Sequence, residues 1–178
     1  GYQTRDFSAE FLVIDARNRW DTLYSEILDT LHGQRVKIIL DEDPGYYYMG
    51  RVTVNTMKSD RKTATISIKA VCDPYKLEIA GSLDDWLWDT FNFETGIIRD
   101  YKALTVDGTL TLMIPGTRRP CIPTITVSDA MTAAFGGKEY ALTAGSNRIS
   151  GITITQGDNV LTFTGSGTVS IDYKGGRL

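Results

Sequence analysis

The sequence predicts a mainly β protein with one α-helix: an N-terminal unit of helix plus antiparallel sheet, then an all-β sandwich. Three observations lead there. One segment alone, Ala16 to His32, has a sustained helical period. Several other runs alternate apolar and polar residues at a period of two, the spacing of half-buried strands. After Asp73-Pro74-Tyr75 the helical period vanishes and short alternating runs between Gly-rich turns take over, the pattern of a sandwich or barrel.

Residues Phe7 to Ile14 read as a strand, with Phe7, Ala9, Phe11 and Val13 on one face and Ser8, Glu10 and Leu12 on the other. Asp15 offers a carboxylate as N-cap for the helix. Along it, Trp20, Leu23, Tyr24, Ile27, Leu28 and Leu31 recur at steps of three and four, an apolar stripe that packing on a sheet would bury. Gly33 follows as the residue that tolerates positive φ at the helix end. Arg35 to Leu40, Tyr46 to Met57 and Lys62 to Cys72 then form a three-stranded meander. Its first turn is Asp41-Glu42-Asp43-Pro44-Gly45, where Pro fixes φ and Gly accepts the reversal. In the third strand Ala64, Ile66, Ile68 and Ala70 share the core face. The break at Asp73-Pro74-Tyr75 divides the chain into residues 1–76 and 77–178.

Beyond the break, Val106 to Ile114 alternates cleanly. Further short strands are expected at Ile122 to Val127, Tyr140 to Leu142 and Arg148 to Thr155. Near the end, Leu161/Phe163 and Val169/Ile171/Tyr173 alternate with polar residues. Gln156-Gly157-Asp158-Asn159 and Gly165-Ser166-Gly167 read as the turns that separate these strands. No internal repeat stands out.

Composition bounds the function. Across 178 residues, 42% are hydrophobic and 23% charged, enough apolar material for a core. The net charge is −3, with 0 on residues 1–76 and −3 on the remainder, so no basic field points to nucleic acid. No apolar run reaches the length of a membrane span. Cys72 and Cys121 have neither CxxC spacing nor neighbouring histidines; two buried free thiols are expected, with a disulfide between them as the alternative. The chain begins Gly1-Tyr2-Gln3 without an initiator Met, which reads as a fragment of something longer.

Chemistry-bearing patterns are sparse. His32, the single histidine, stands in the last helical turn, where a protonated imidazole gains from the helix dipole; a surface or capping role is expected. One histidine supplies neither a multi-His metal site nor a hydrolytic pair, and no phosphate-binding Gly loop precedes the helix. No cofactor, metal or catalytic residues are expected. Asp41-Glu42-Asp43 lacks the spaced oxygens of an EF-hand and reads as a solvated hairpin tip. Asp84, Asp85, Asp89 and Glu94 surround the stretch Trp86-Leu87-Trp88-Asp89-Thr90-Phe91-Asn92-Phe93, an arrangement a glycosidase cleft would use only if buried. Two candidate binding groups remain. Trp86 and Trp88 share a strand face and could stack on a sugar or pack against a neighbour, whereas Phe91 and Phe93 suit the core. In Tyr46-Tyr47-Tyr48 the outer two rings share one face and Tyr47 takes the other, so one face should stay available for an interface.

Three passages carry a resemblance to a known family: the helix end Leu31-His32-Gly33 with Val36 to Val54 ("VKIILDEDPGYYYMGRVTV"), the boundary Asp73-Pro74-Tyr75-Lys76, and the terminus Gly165 to Leu178 ("GSGTVSIDYKGGRL"). Together they resemble the distal tail proteins of long-tailed siphophages and prophages. The resemblance implies an N-terminal domain that builds a hexameric ring and a galectin-like C-terminal β-sandwich. It also implies an architectural role as baseplate hub, in contact with the tail tube, tape measure, tail-tip and receptor-binding proteins. Such a protein resides in the virion tail and is assembled in the bacterial host cytoplasm. Family members carry further strands and a Gly-rich segment before the helix. Here one strand precedes Asp15, which implies a ring domain incomplete at its N-terminus. The rival reading is a carbohydrate-binding module that meets a cell-surface glycan through Trp86 and Trp88.

Overall fold

A computed structural model describes residues 2–14, 20–59, 63–83 and 100–178. These are mainly antiparallel strands with one helix, and the chain divides into two compact units, Gly1–Lys76 and Leu77–Leu178.

In the first unit, β1 (Arg5–Ile14), α1 (Trp20–Leu31), β2 (Arg35–Ile38), β3 (Tyr46–Ser59) and β4 (Thr63–Glu78) follow one another. The strands lie in the order β1-β4-β3-β2, so β1 closes on β4 and leaves β1 and β2 at the edges. On β4 the face that alternation gives to Ala64, Ile66, Ile68 and Ala70 is the inner one: Ala64, Ile66 and Ala70 are buried, Ile68 is half-buried, and Cys72 continues the buried row. Opposite them on β3 stand Tyr48, Val52 and Val54, also buried. Phe7, Leu31, Val36, Ile38, Leu40 and Ile68 pack round this nucleus. Gly50 sits where β3 passes close to Cys72: a Cβ there would lie 2.3 Å from the Cys72 sulfur.

Three expectations change. Asp73-Pro74-Tyr75 does not end the third meander strand; β4 runs through it to Glu78. The ladder to β1 stops at Cys72, so no N–H is asked of Pro74 on that side, and a strand tolerates Pro there. The apolar face that alternation marks on β1 is buried only in part, with Phe7 half-buried and Phe11 53% exposed. The helical stripe is likewise only half covered: Leu23, Tyr24, Ile27, Leu28 and Leu31 are each intermediate. The helix itself is Trp20–Leu31, closed as expected by Gly33 at φ 76°, and the proposed N-cap Asp15 lies outside the described residues.

The second unit contains β5 (Leu104–Gly116), β6 (Thr124–Val127), β7 (Met131–Phe135), β8 (Lys138–Leu142), β9 (Gly145–Asn147), β10 (Gly157–Asp172) and β11 (Gly176–Arg177). β10 organises it. Along one side it pairs with β5 from Gly157 to Val169; along the other it pairs first with β7 and then with β6. Gly165-Ser166-Gly167, expected as a turn, lies inside this continuous strand at the point where the partner changes. Gly165 and Gly167 have φ of 151° and 134°, and a Cβ on either would strike Met131 Cβ (2.7 Å) or Ser128 Oγ (2.4 Å). Glycine is needed because the β6–β7 connection crosses directly over β10. Val106, Ile114, Ile125, Leu161, Phe163, Val169 and Ile171 fill the core, each 1% exposed or less.

Arg148 to Thr155, expected as a strand, is irregular apart from an isolated bridge between Cys121 and Ile154. Ile152 donates to the Ile149 carbonyl across a turn, and Gly151 lies under the Tyr140 ring. Ile152 and Ile154 alternate because both enter the core, which needs no ladder. A repeated turn also comes to light. Thr143-Ala144-Gly145-Ser146-Asn147 and Thr155-Gln156-Gly157-Asp158-Asn159 share the pattern Thr-x-Gly-x-Asn, with the glycines at φ 101° and 95°. In each, the Asn oxygen accepts from the Thr N–H at 3.0 Å and the Asn amide donates back to the Thr and Gly carbonyls.

Candidate interaction surfaces

The two N-terminal passages that carry the family resemblance turn out to be in contact. Lys76 forms a half-buried ion pair with Asp43 on the Asp-Glu-Asp-Pro-Gly turn, and its ammonium also lies 4.5 Å from the centre of the Tyr46 ring. Asp73 accepts from Arg35 at 2.6 Å, and Tyr75 meets Tyr2 edge to face at 5.3 Å. The hairpin turn and the Asp-Pro-Tyr-Lys segment thus form one polar-aromatic clasp at the end of the first sheet. Asp43 is engaged in this clasp, whereas Asp41 and Glu42 remain solvated.

The tyrosine triplet does not leave a face available. Tyr47 and Tyr48 are each 6% exposed although they point to opposite sides of β3, and Tyr46 is half-buried. Tyr48 packs on Phe7 at 4.9 Å with the Arg5 guanidinium over its ring, and Lys37 covers Tyr47 at 4.9 Å. On the outer face of β3, exposure returns only at Arg51, Thr53 and Asn55. Long cationic side chains from other strands of the sheet shield the rings, an effect that alternation alone does not encode.

His32 has a structural bond of its own: its Nδ1 accepts the Val54 backbone N–H at 3.2 Å. His32 therefore ties the end of α1 to β3.

Among the described residues, the apolar surface left open lies mainly on β1. Phe11, Leu12 and Ile14 are 53%, 67% and 73% exposed, on a strand at the sheet edge. In the second unit Met113 and Val160 stand opposite each other on the outer face of β5 and β10, also exposed. Nothing in the sequence marked Leu12 or Ile14, since alternation assigns them to an ordinary outward face.

Trp86, Trp88, Phe91, Phe93 and the carboxylates Asp84, Asp85, Asp89 and Glu94 lie outside the described residues. Their described flanks are anchored at one place. The buried Ser82 hydroxyl donates to the Ile171 carbonyl and accepts the Tyr173 N–H, while the Tyr101 carbonyl accepts the Ile171 N–H. Among the described residues no group of three or more His, Cys, Asp or Glu side chains could hold a metal ion. No described helix is long and apolar enough to cross a membrane. Both cysteines are free thiols, and burial, reinforced by Asp73 and Asp6, raises the pKa of Cys72.

A single-helix, antiparallel β architecture in two units is the class that this geometry defines. Among solved structures, a phage hub protein has a similar fold. The crystal structure of Dit from phage SPP1, described as a paradigm of the hub adsorption apparatus in phages infecting Gram-positive hosts, matches with a TM-score of 0.56. The match covers 98% of this chain and 79% of the SPP1 protein at 15% sequence identity, so the likeness is one of fold. No protein-family model and no curated protein matches the sequence.

Proposed function

We propose that this chain is a structural component of a phage or prophage tail, a distal tail protein that acts as a baseplate hub through protein–protein contacts. The observation that carries the reading is the fold likeness to SPP1 Dit along nearly the whole chain. The motifs from Leu31 to Val54, Asp73 to Lys76 and Gly165 to Leu178 support it independently. On this reading the first unit assembles into a six-membered ring and the second is a galectin-like sandwich. The tail tube, tape measure, tail-tip and receptor-binding proteins are the partners. The site of action is the virion tail, after assembly in the host cytoplasm, and the role requires no catalysis.

The exposed apolar residues of β1 suit the ring. A sheet edge carrying Phe11, Leu12 and Ile14 is a liability in a monomer and an asset in a contact between copies. Contacts of this kind are heterologous and close into a ring only at a fixed rotation. Light scattering across a concentration series, with electron microscopy of the particles, tests the proposal. Rings of about six copies are expected, and a strict monomer at high concentration argues against the reading. The carbohydrate-binding alternative rests on Trp86 and Trp88, and no described residue favours it.

A further inference from the structure

A cleft of about 360 Å³ opens on the second unit, lined by Arg119, Pro120, Cys121, Ile122, Arg148 and Thr153. Its walls are fixed by the main chain. Cys121 and Ile154 exchange both backbone hydrogen bonds, at 3.0 and 2.8 Å, and Thr153 is tied to the Ser150 carbonyl through its hydroxyl at 3.0 Å. The stem of Arg119 lies against Gly176, where a Cβ would come within 2.8 Å of Arg119 Cβ and Cδ. The Arg119 N–H donates to the Gly176 carbonyl. Arg119 is thereby half-buried and held in place, while Arg148 reaches the same cleft from an exposed position.

Neither guanidinium has an ion-pair or hydrogen-bond partner among the described residues. Two unpaired arginines in one cleft, on a chain of net charge −3, are not explained by the overall charge balance. From this juxtaposition we infer that the cleft binds a phosphoryl group, as a phosphate monoester or phosphodiester. A carboxylate keeps all its lone pairs in one plane, so a second guanidinium fork has to approach in that same plane. A tetrahedral phosphoryl group directs its oxygens out of any one plane and accepts forks from different directions, which suits two arginines carried on separate segments of the cleft. The volume suits one such group with its immediate substituents. This inference stands apart from the tail reading and uses none of its surfaces.

Backbone amide spectra of the full chain, titrated with sodium phosphate at constant ionic strength, provide the test. Saturable shifts confined to residues 119–122 and 148–153 are expected, with affinity falling as salt rises. Arg148→Gln, a change at an exposed side chain, should weaken binding about tenfold while leaving the thermal transition unchanged. Arg119→Lys keeps the charge and the stem but loses the fork, and should weaken it too. Parallel titrations with glycerol phosphate and with poly(glycerol phosphate) separate a small ligand from a polymer. Tighter binding of either one supports the site and names its source. Shifts equally strong with acetate, shifts scattered over the surface, or full binding by Arg148→Gln would each overturn the inference.

Discussion

Asn159→Ala tests whether the Thr-x-Gly-x-Asn turn holds the second unit together. Asn159 is 7% exposed. Its oxygen accepts from the Thr155 N–H at 3.0 Å, and its amide donates to the carbonyls of Ile114 (3.1 Å), Thr155 (2.8 Å) and Gly157 (2.9 Å). The Ile114 bond clamps the turn onto β5, beside the point where Gly116 runs against the Thr155 carbonyl. Truncation removes these bonds and leaves the Ile114 carbonyl without its partner in a buried place and the Thr155 N–H without its partner in a half-buried one. At about 1 kcal/mol per net bond, and somewhat more for each buried group left unmade, the loss is about 3–4 kcal/mol. Asn147 makes the same set, but it is half-buried and its link to Ile125 is long at 3.4 Å, so water replaces much of it. Asn147→Ala should cost about 1–2 kcal/mol. For a unit of this size each kcal/mol moves the midpoint by about 4–8 °C, so calorimetry resolves the two variants readily. A loss below about 1 kcal/mol for Asn159→Ala, or a larger loss for Asn147→Ala, would refute the argument that burial sets the difference.

Five further outcomes are expected. Gly50→Ala drives a methyl to 2.3 Å from the Cys72 sulfur and should destabilise the first unit by about 1–3 kcal/mol, read by urea unfolding. Under a thiol reagent at pH 8, Cys121 should label first and Cys72 only on unfolding, because Cys72 is 1% exposed and its pKa is raised. The same shift makes the Cys72 contribution to stability whole below the unfolded thiol's pKa and lost as pH rises towards the folded one, so urea midpoints should fall in alkali and Cys72→Ala should flatten that limb. Lys76→Ala breaks the clasp to Asp43 and Tyr46 and should cost about 1 kcal/mol, a loss that Lys76→Arg largely restores. Replacing Phe11 and Leu12 together by Asp should abolish self-association, seen by light scattering, with circular dichroism unchanged because both side chains are exposed.

Much of the fold was legible because periodicity reports burial directly. The alternation of Ala64, Ile66, Ala70 and Cys72 and of Val106 to Ile114 follows from one wet and one dry face, and Gly33 marked the helix end through its φ. The same signal misled where burial and ladder pairing part company. Ile152 and Ile154 are buried without a strand, and Pro74 and Gly165 interrupt a pattern without ending one. β7, with the sequence Met131-Thr132-Ala133-Ala134-Phe135, carries little signal because its alanines have little strand preference; the ladder beside β10, with Ala133 opposite Phe163, makes it a strand. The Thr-x-Gly-x-Asn turn was visible as a pattern, and a comparison of the two Gly-Ser/Asp-Asn turns would have found it.

Local chemistry, then, determined the class of the protein: a helix where apolar residues recur at steps of three and four, strands where they alternate, turns where Gly, Pro and Asp gather. Tertiary structure alone decided which alternating faces stay wet, since exposure of Phe11, Leu12 and Ile14 depends on β1 lying at the edge of its sheet. It also brought Asp43 to Lys76 and Arg119 to Arg148. Pairs separated by some thirty residues of chain meet through strand order and register, which the sequence encodes only through the sum of all its contacts.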